Sequence, residues 1–260
     1  MDTETERQRS TRRYQRTLFD GVAELYESSR RSYPDALVDF VVSTAALGAG
    51  SEVLEVGCGT GQLTERLARY ALGVTAIDIG PAMIASARRR LAGSAVSFQV
   101  VSFEDFAAPD ASFDLIASGT AFHWVDPEVK FTKPARLLRP GGWLALLGTE
   151  EVYDDPFGSV LDAMWAARSD ASTWTRPDYA EALAATDLFG DPVERADAQR
   201  TVLPADVVIG VENTRATVLS WPEDVRRAFN DELRHHLRSQ PQVHLTQRAS
   251  LTMAQVAPPP

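Results

Sequence analysis

Hydrophobic and polar positions alternate between a strand pattern and a helix pattern along most of this chain. Short apolar runs at Val53–Val56 and Gly73–Ile77 predict buried parallel strands, and each is followed by apolar residues at helical spacing. The same pattern predicts strands at Val96–Val101, Leu115–Ser118 and Trp143–Leu147 and a last, alternating strand at Val243–Met253. Strands that alternate with helices are typical of an α/β fold built on one open sheet.

Two amphipathic segments precede the first strand. The apolar residues within Tyr14–Ser29 lie on one helical stripe and predict a continuous helix. A second helix is expected to begin with Pro34 in its first turn. Its inward-facing residues are predicted to be Leu37, Phe40 and Val41.

Gly57, Gly59 and Gly61 follow the first predicted strand directly, and a helix is expected from Gln62. Glycine has no Cβ, so it permits a sharp turn and lets a ligand approach the backbone closely. Open α/β sheets bind ligands at this place, outside the carboxyl ends of their strands. The turn alone does not identify the ligand, because dinucleotide-binding enzymes carry a similar turn in the same position.

Two acidic residues narrow the choice of ligand. Glu55 lies two residues before the first glycine, where its carboxylate would repel a pyrophosphate and attract an ammonium group. Asp78 ends the second predicted strand, where an acid can accept hydrogen bonds from both ribose hydroxyls of a nucleoside. S-adenosylmethionine has an amino acid at one end and a ribose at the other, and we therefore expect it as the cofactor.

With these residues, the chain resembles the class I S-adenosylmethionine-dependent methyltransferases. The similarity runs in order through LEVGCGTGQLTERLA, AIDIGPAMIASARRRL, FEDFAAPDASFDLI, AFHWVDP and LLRPGGWLALL. FED followed by AFHWVDP resembles the branch that includes trans-aconitate-type and other small-molecule methyltransferases. The resemblance implies a Rossmann-like seven-stranded sheet with helices on both faces, an N-terminal helical lid and a small helical cap.

The N-terminal segment resembles the family's cover, in which a first helix and a Tyr-Pro turn close over cofactor and substrate. This implies lid roles for Tyr26, Arg30 and Tyr33. Arg30 has two interpretations. It either pairs with a carboxylate, from methionine or from an acidic acceptor, or it is a surface arginine.

The resemblance also implies an adenine site. Ile79 and Met83 match the apolar pair that flanks the ring, and each is also compatible with a place in the core. Many relatives carry Asp after strand three, where this chain has Ser102. We therefore expect the backbone amide of Phe103, with Glu104 nearby, to contribute to adenine recognition.

His123 and Trp124 follow strand four, which ends beside the methyl group in this family's fold. Imidazole titrates near neutrality, so His123 is the candidate for orienting or deprotonating an acceptor hydroxyl, acid or amine. Methyl transfer from a sulfonium can also proceed by alignment alone. His123 is therefore a candidate catalytic residue, a pocket contact or a structural residue, and Trp124 a pocket wall or a packing residue.

The pattern and the resemblance together divide the chain into segments. We expect a disordered lead at 1–13, the lid at 14–50, the cofactor-binding core at 51–150, a cap at 151–197, the C-terminal part of the core at 198–254 and a disordered tail at 255–260.

Composition and charge restrict the possible partners. The chain has 26 Lys and Arg against 36 Asp and Glu, a net charge of −10, which argues against a nucleic-acid partner. A single cysteine, Cys58, permits no intramolecular disulfide and suits a reducing compartment. There is no signal-peptide pattern, no apolar run of membrane-spanning length and no metal-ligand spacing, so we expect a cytoplasmic protein without a metal site.

The predicted activity is transfer of a methyl group to an O, N or C nucleophile of a small molecule. The alternatives are methylation of a protein or carrier-bound substrate, a non-catalytic S-adenosylmethionine-binding relative, and a nicotinamide-dependent dehydrogenase. Glu55 argues against the last of these, since its carboxylate would face the pyrophosphate of a dinucleotide. The sequence leaves the acceptor and the oligomeric state open.

Overall fold

The computed structural model describes residues 14–168 and 177–258, and these residues contain one seven-stranded sheet. The strands are β1 (Glu52–Val56), β2 (Gly73–Asp78), β3 (Ser97–Val100), β4 (Phe113–Gly119), β5 (Leu138–Tyr153), β6 (Val193–Pro204) and β7 (Gln242–Gln255). Their order across the sheet is β3-β2-β1-β4-β5-β7-β6.

The sheet is parallel except at one strand. The pairs among β1 to β5 are parallel, whereas β7 pairs antiparallel with both β5 and β6. The chain thus reverses its strand order at β1 and β4, the topological switch point at which open α/β sheets bind ligands. The predicted seven-stranded sheet and its antiparallel closing strand are confirmed.

Helices cover both sides of the sheet. They are α1 (Ala23–Ser29), α2 (Asp35–Thr44), α3 (Gln62–Leu67), α4 (Pro81–Arg90), α5 (Thr132–Leu137), α6 (Phe157–Ala166), α7 (Tyr179–Ala184), α8 (Ala205–Asn213), α9 (Ala216–Ser220) and α10 (Glu223–Leu237). Within the described ranges, none of these helices is long and apolar enough to cross a membrane.

Alternate residues of the central strands fill two apolar layers. Val53 and Leu115 belong to the layer that includes residues of α2 and α3. Leu54 and Ile116 belong to the layer on the other face, with residues of α5 and α7. Successive side chains of a strand point to opposite faces, so strands buried on both sides carry continuous apolar runs, as β1 and β4 do.

A third apolar cluster lies where β5 and β7 extend beyond the central strands. Its members include Phe157 and Leu161 of α6, Val208 of α8, and Phe229 and Leu233 of α10. We call α6, α8, α9 and α10 the cap layer. The helices of the 198–254 segment therefore pack with α6 from the 151–197 segment and share its core.

The first predicted helix is interrupted. Residues 14–17 are helical, Asp20–Val22 form a short 3-10 turn, and α1 begins only at Ala23. The prediction of one continuous helix over Tyr14–Ser29 was wrong for a physical reason. The Asp20 carboxylate accepts hydrogen bonds from α4, and Gly21, a weak helix former, follows it.

The fifth strand is longer than its predicted core of Trp143–Leu147. Leu138 already pairs with Phe113, and the register then shifts so that Leu115 opposes Trp143. The residues between form a bulge in which Gly141 has a φ of +83°. The segment before Trp143 is thus built into the strand as an irregularity.

Order at the C-terminus continues past the predicted boundary at residue 254. Gln255 still belongs to β7, Val256 forms a bridge with Phe189, and the Ala257 amide donates to the Leu188 carbonyl at 2.9 Å. The expected disordered tail was therefore wrong for residues 255–257, because they add backbone pairs at the sheet edge. The expected lead at 1–13 lies outside the described residues.

Candidate functional site

The candidate site lies at the carboxyl ends of β1 and β2. In this register Val56 pairs with Ile77, which puts Glu55 and Asp78 at the same edge of the sheet. The amides of Gly57 and Cys58 both donate to the Ile77 carbonyl, at 2.9 and 3.0 Å, and pin the turn to β2. The strand-turn-helix motif thus folds as predicted, with Gln62 opening α3.

The three glycines of the turn are required for different reasons. All have left-handed backbone, with φ of +71° at Gly57, +54° at Gly59 and +90° at Gly61. A Cβ at Gly57 would lie 2.4 Å from the Ala121 Cβ, and one at Gly61 would lie 2.9 Å from Leu91. A Cβ at Gly59 would meet no protein atom within 4 Å. Only Gly59 therefore presents its backbone to open space where a ligand can approach.

Glu55 is a buried acid with spare hydrogen-bonding capacity. It is 1% exposed, and its Oε2 has no hydrogen-bond partner among the described residues. Burial raises the pKa of Glu55 from 4.5 to about 8, Asp78 adds to the rise, and the backbone amide of Thr64 offsets part of it. A buried polar atom without a partner is costly, so this oxygen marks a place for a ligand donor.

Two further orphaned polar atoms lie on the first turn of α3. The Nε2 atom of Gln62 and the Oγ1 atom of Thr64 are buried without a hydrogen-bond partner among the described residues. Gln62 does use its other amide atom, which accepts from the Thr60 hydroxyl at 2.9 Å. The end of β1 and the start of α3 together therefore hold unused acceptors and donors among the described residues.

Asp78 is fixed by backbone amides. Its Oδ2 accepts from the Gly59 amide at 2.9 Å and its Oδ1 from the Gly80 amide at 2.8 Å. Burial raises its pKa, whereas these hydrogen bonds oppose the rise. Each carboxylate oxygen keeps a second lone-pair position, so the group can still accept from a ligand.

The predicted adenine residues differ in exposure. Ile79, next to Asp78, is half-buried, and Met83 is 3% exposed on α4. Phe103 is buried in one of the two central apolar layers, where the Lys133 ammonium lies 5.2 Å from its ring centre. Ile79 is thus the more accessible of these side chains, and the other two contribute to packing.

Glu104 is engaged by other parts of the protein. Both of its carboxylate oxygens contact the Arg16 guanidinium, at 3.0 and 3.1 Å, and Oε1 also accepts from the Asp126 amide. The side chain thereby ties the N-terminal segment to the loop after β4. In this arrangement it positions the neighbouring chain segments, a role that sequence reasoning missed because the partners are 88 and 22 residues away.

The lid is anchored at one end by Asp20, which sequence reasoning also missed. Its Oδ1 accepts from the amides of Ala82 and Met83, at 2.7 and 3.2 Å, at the start of α4. A carboxylate at a helix N-terminus satisfies otherwise unpaired amides and interacts favourably with the helix dipole. Asp20 lies on the polar face of this segment, opposite the apolar stripe, so the sequence pattern alone gave no signal for this contact.

Aromatic rings connect the lid to the segment after β4. The Phe19 ring lies 6.1 Å from that of Tyr26 and 6.0 Å from that of Trp124, both in edge-on geometry. The His123 ring lies 4.6 Å from Trp124. His123 and Trp124 belong to a short 3-10 helix, Phe122–Trp124, directly after β4. The structure thus brings the predicted acceptor-side residues together with the lid.

Tyr33 covers the end of β4. Its hydroxyl lies 2.9 Å from the Thr120 hydroxyl, and a Cβ at Gly119 would come within 2.4 Å of it. Burial raises the pKa of Tyr33. Thr120 has a φ of +55°, an unfavourable backbone for a β-branched residue that the surrounding contacts must maintain. The contact with Tyr33 thus lies at the strained residue Thr120, directly after β4.

Arg30 is paired within the protein. Its Nε donates to the Thr214 hydroxyl at 2.9 Å and its Nη2 to the Thr214 carbonyl at 3.0 Å. Nη1 lies 3.8 Å from Glu151 on β5. The guanidinium is therefore neither a surface group nor a vacant anion site, and it joins α1 to the cap layer.

A groove separates part of the N-terminal segment from the cap layer. It has a volume of about 580 Å³. Its apolar walls come from Leu18, Val22 and Leu25 on one side and from Ile209 and Leu219 on the other. This volume falls within the range of about 300–1,000 Å³ that is usual for small-molecule sites.

The chain is similar to known methyltransferases in sequence. Residues 54–146 match a family model described as a methyltransferase domain. An uncharacterised methyltransferase of Mycobacterium tuberculosis is 29% identical over 245 residues, which are 89% of this chain and 90% of the relative. A ubiquinone biosynthesis O-methyltransferase of Xanthomonas axonopodis pv. citri is 42% identical over 109 residues, 40% of this chain and 46% of that protein.

Solved structures share the fold. A candidate type II methyltransferase from Anaeromyxobacter dehalogenans has a TM-score of 0.61 at 23% identity, over 88% of this chain and 99% of its own. Phosphoethanolamine N-methyltransferase 2 of Haemonchus contortus, bound to S-adenosylhomocysteine, has a TM-score of 0.52 at 16% identity, over 92% of this chain and 58% of its own. At these identities the likeness concerns the fold.

Proposed function

We propose that this chain is an S-adenosylmethionine-dependent methyltransferase that binds its cofactor at the ends of β1 and β2 and methylates a small molecule. The observation that carries the proposal is the buried, unpartnered Oε2 of Glu55 at the same sheet edge as Asp78. Glu55 receives the ammonium group of the methionine part, and Asp78 receives the ribose hydroxyls. Gly59 gives the ligand close access to the backbone between them.

The unused polar atoms at the start of α3 fit this assignment. Gln62 Nε2 can donate to the methionine carboxylate and Thr64 Oγ1 can exchange a hydrogen bond with the amino acid end. Ile79 lies against the adenine ring, with Met83 behind it, and the amide of Phe103 meets the adenine edge. When bound, S-adenosylmethionine supplies an activated methyl group and leaves as S-adenosylhomocysteine.

The acceptor side is built from the lid and the residues after β4. Tyr26, Tyr33 and Trp124 form its walls, and His123 orients the nucleophile or takes its proton. The rate then depends chiefly on holding an O, N or C nucleophile in line with the methyl group in a pocket from which water is excluded.

A small molecule, an organic acid or a secondary metabolite, is the acceptor that we propose. The net charge of −10 disfavours nucleic acid. The FED and AFHWVDP segments support membership in the trans-aconitate-type branch. A cytoplasmic location suits substrates of this kind. Because Arg30 is already paired, an acidic acceptor requires another cation.

Calorimetric titration with S-adenosylmethionine and with NAD tests the cofactor assignment. We expect binding of the first and none of the second, and a loss of about tenfold or more in affinity with Asp78→Asn, equivalent to about 1.4 kcal/mol or more. Asp110→Asn is the matched control, since this acid lies on the surface in an ion pair with Arg136. A wild-type protein that does not bind S-adenosylmethionine would overturn the proposal.

A further inference from the structure

Arg30 connects three parts of the molecule. It follows α1 directly, and its guanidinium reaches Thr214 at the end of α8 through two hydrogen bonds of 2.9 and 3.0 Å. The third nitrogen lies 3.8 Å from Glu151 on β5. The lid, the cap layer and the extended part of the sheet therefore meet at one side chain.

The partners of Arg30 are themselves rigidly held. Thr214 is fully buried, and its hydroxyl donates to the Val211 carbonyl at 2.9 Å while it accepts from Arg30. Glu151 is 7% exposed and also lies 3.8 Å from Arg215. Arg215 in turn donates to the buried Glu212 at 2.9 Å. Arg30 thus docks onto a fixed arrangement of charges and hydrogen bonds.

Glu212 completes this arrangement from the cap side. Its two carboxylate oxygens accept from the Tyr153 hydroxyl and from the Trp165 indole, each at 3.2 Å. Buried charges are tolerated when paired and hydrogen-bonded, and removing one partner is costly. The cap layer therefore presents a preformed surface to the end of the lid.

On the other side, Arg30 acts on Tyr26. Its guanidinium carbon lies 5.4 Å from the centre of the Tyr26 ring, in cation–π geometry. Burial raises the pKa of Tyr26, Arg30 opposes the rise, and the carboxylates of Glu151 and Asp78 add to it. The Tyr26 ring thus lies against Arg30 on one side and against Phe19 on another, and Phe19 in turn contacts Trp124 after β4.

We infer that Arg30 is a positioning residue for methyl transfer, which places Tyr26 over the cofactor edge when the lid is docked on the cap layer. The inference rests on the proposed function and adds a role to it. Because Thr214 ends α8 of the cap layer and Glu151 lies on β5, Arg30 makes the placement of Tyr26 dependent on the arrangement of the cap layer. The planar guanidinium is required, since an ammonium cannot donate to both Thr214 oxygens and stack on Tyr26 at once.

The binding of S-adenosylhomocysteine to Arg30→Lys and Thr214→Val tests this role. We expect each variant to bind at least tenfold more weakly, while Thr214→Ser, which keeps the hydroxyl, retains wild-type affinity. Arg31→Lys is the matched control, because Arg31 donates only to the Thr201 hydroxyl at 2.7 Å among the described contacts. Combining Arg30→Lys with Tyr26→Phe should cost much less than the product of the single effects.

Two outcomes overturn the inference. One is an affinity of Arg30→Lys equal to that of Arg31→Lys; the other is independent, multiplicative losses from Arg30→Lys and Tyr26→Phe, which indicate a general structural effect. Amide hydrogen exchange of α1 in the ligand-free protein separates this test from the proposed function. Faster exchange in Arg30→Lys and Thr214→Val, but not in Thr214→Ser, supports the docking contact even in a protein that binds no S-adenosylhomocysteine. Unchanged exchange in all variants contradicts it.

Discussion

At the scale of single residues, the environment of Glu55 determines how the site responds to a ligand. A carboxyl group that is buried without a full set of partners favours its protonated form, and here the pKa rises from 4.5 to about 8. The proton that stabilises the ligand-free site must leave when a cationic ammonium group arrives. Cofactor binding is therefore expected to be linked to proton release.

The first prediction follows from this linkage. At about pH 7, binding of S-adenosylhomocysteine should release close to one proton, detected by calorimetry in two buffers of different ionisation enthalpy. Affinity should rise by up to about tenfold per pH unit until about pH 8. Glu55→Gln should bind weakly and release no proton. Equal proton release by the wild-type and variant proteins would assign the effect to another group.

The stability of the ligand-free protein is expected to fall with rising pH, whereas its affinity for the cofactor is expected to rise. The pKa of Glu55 is about 8 in the folded protein and 4.5 in the unfolded chain, so folding favours the protonated carboxyl group. Its contribution to the free energy of unfolding is therefore complete below pH 4.5 and is lost as the pH rises through about 8. In the second prediction, ligand-free Glu55→Gln therefore gains stability relative to wild type between pH 5 and pH 8. Urea unfolding across this range measures the difference, and a constant difference would contradict the assignment.

The glycine turn gives a third prediction at the residue scale. Alanine in left-handed backbone costs about 1–2 kcal/mol, which applies to Gly59→Ala. Gly57→Ala also drives a Cβ to 2.4 Å from Ala121, and overpacking adds about 1–3 kcal/mol. Urea unfolding should rank Gly57→Ala as the less stable variant, whereas Gly59→Ala should lose cofactor binding at a smaller cost in stability. The reverse order would show that Gly59 has a packing role.

At the scale of elements, α1 is held from both sides. Asp20, just before it, caps α4 of the core, and Gly210 of α8 lies so close that a Cβ there would be 2.7 Å from the Ser29 side chain. Ser86 of α4 also donates to the Glu27 carboxylate. The lid thus packs between the cofactor-binding core and the cap layer, so its position depends on both.

The Asp20 contact supplies the element-scale prediction. Asp20→Ala removes the acceptor for two amides of α4 and should destabilise the protein by about 0.5–2 kcal/mol. It should also speed proteolysis within residues 18–30, because the lid loses its attachment to the core. Asp20→Asn keeps a side-chain oxygen and is the control. Equal cleavage rates for the wild-type, Ala and Asn proteins would show that this contact does not hold the lid.

Elements fixed by local pattern were predictable from the sequence, and those fixed by distant partners were not. β1, β2 and α4 follow from apolar period, glycines and a proline at a helix start, and their order locates Glu55 and Asp78 at one edge. The break before α1 depends instead on the hydrogen bonds that Asp20 accepts from the amides of Ala82 and Met83, which lie 62 and 63 positions later in the chain. Arg30 likewise takes its role from Thr214, 184 residues later. Such pairings leave no local periodic signal.

At the scale of the whole molecule, charge and shape limit the acceptor. A net charge of −10 repels polyanions at long range and is screened over about 8–10 Å at physiological salt. The proposed walls of the acceptor site, Tyr26, Tyr33 and Trp124, are aromatic side chains, and Phe19 packs between Tyr26 and Trp124. A compact acceptor with an apolar body and at most a few charges matches these aromatic walls better than an extended polyanion.

This argument predicts where the methyl group goes. The protein should be incubated with methyl-labelled S-adenosylmethionine and a cell extract, which is then separated by a size-exclusion filter. Label should appear in the small-molecule fraction, and Asp78→Asn should reduce it in proportion to its lost cofactor affinity. Trp124→Ala, which removes one proposed wall of the acceptor site, should reduce labelling by raising the KM for the acceptor while cofactor affinity is kept, because the acceptor loses apolar contact. Label retained with protein or nucleic acid would replace the small-molecule acceptor by a macromolecular one without affecting the cofactor assignment.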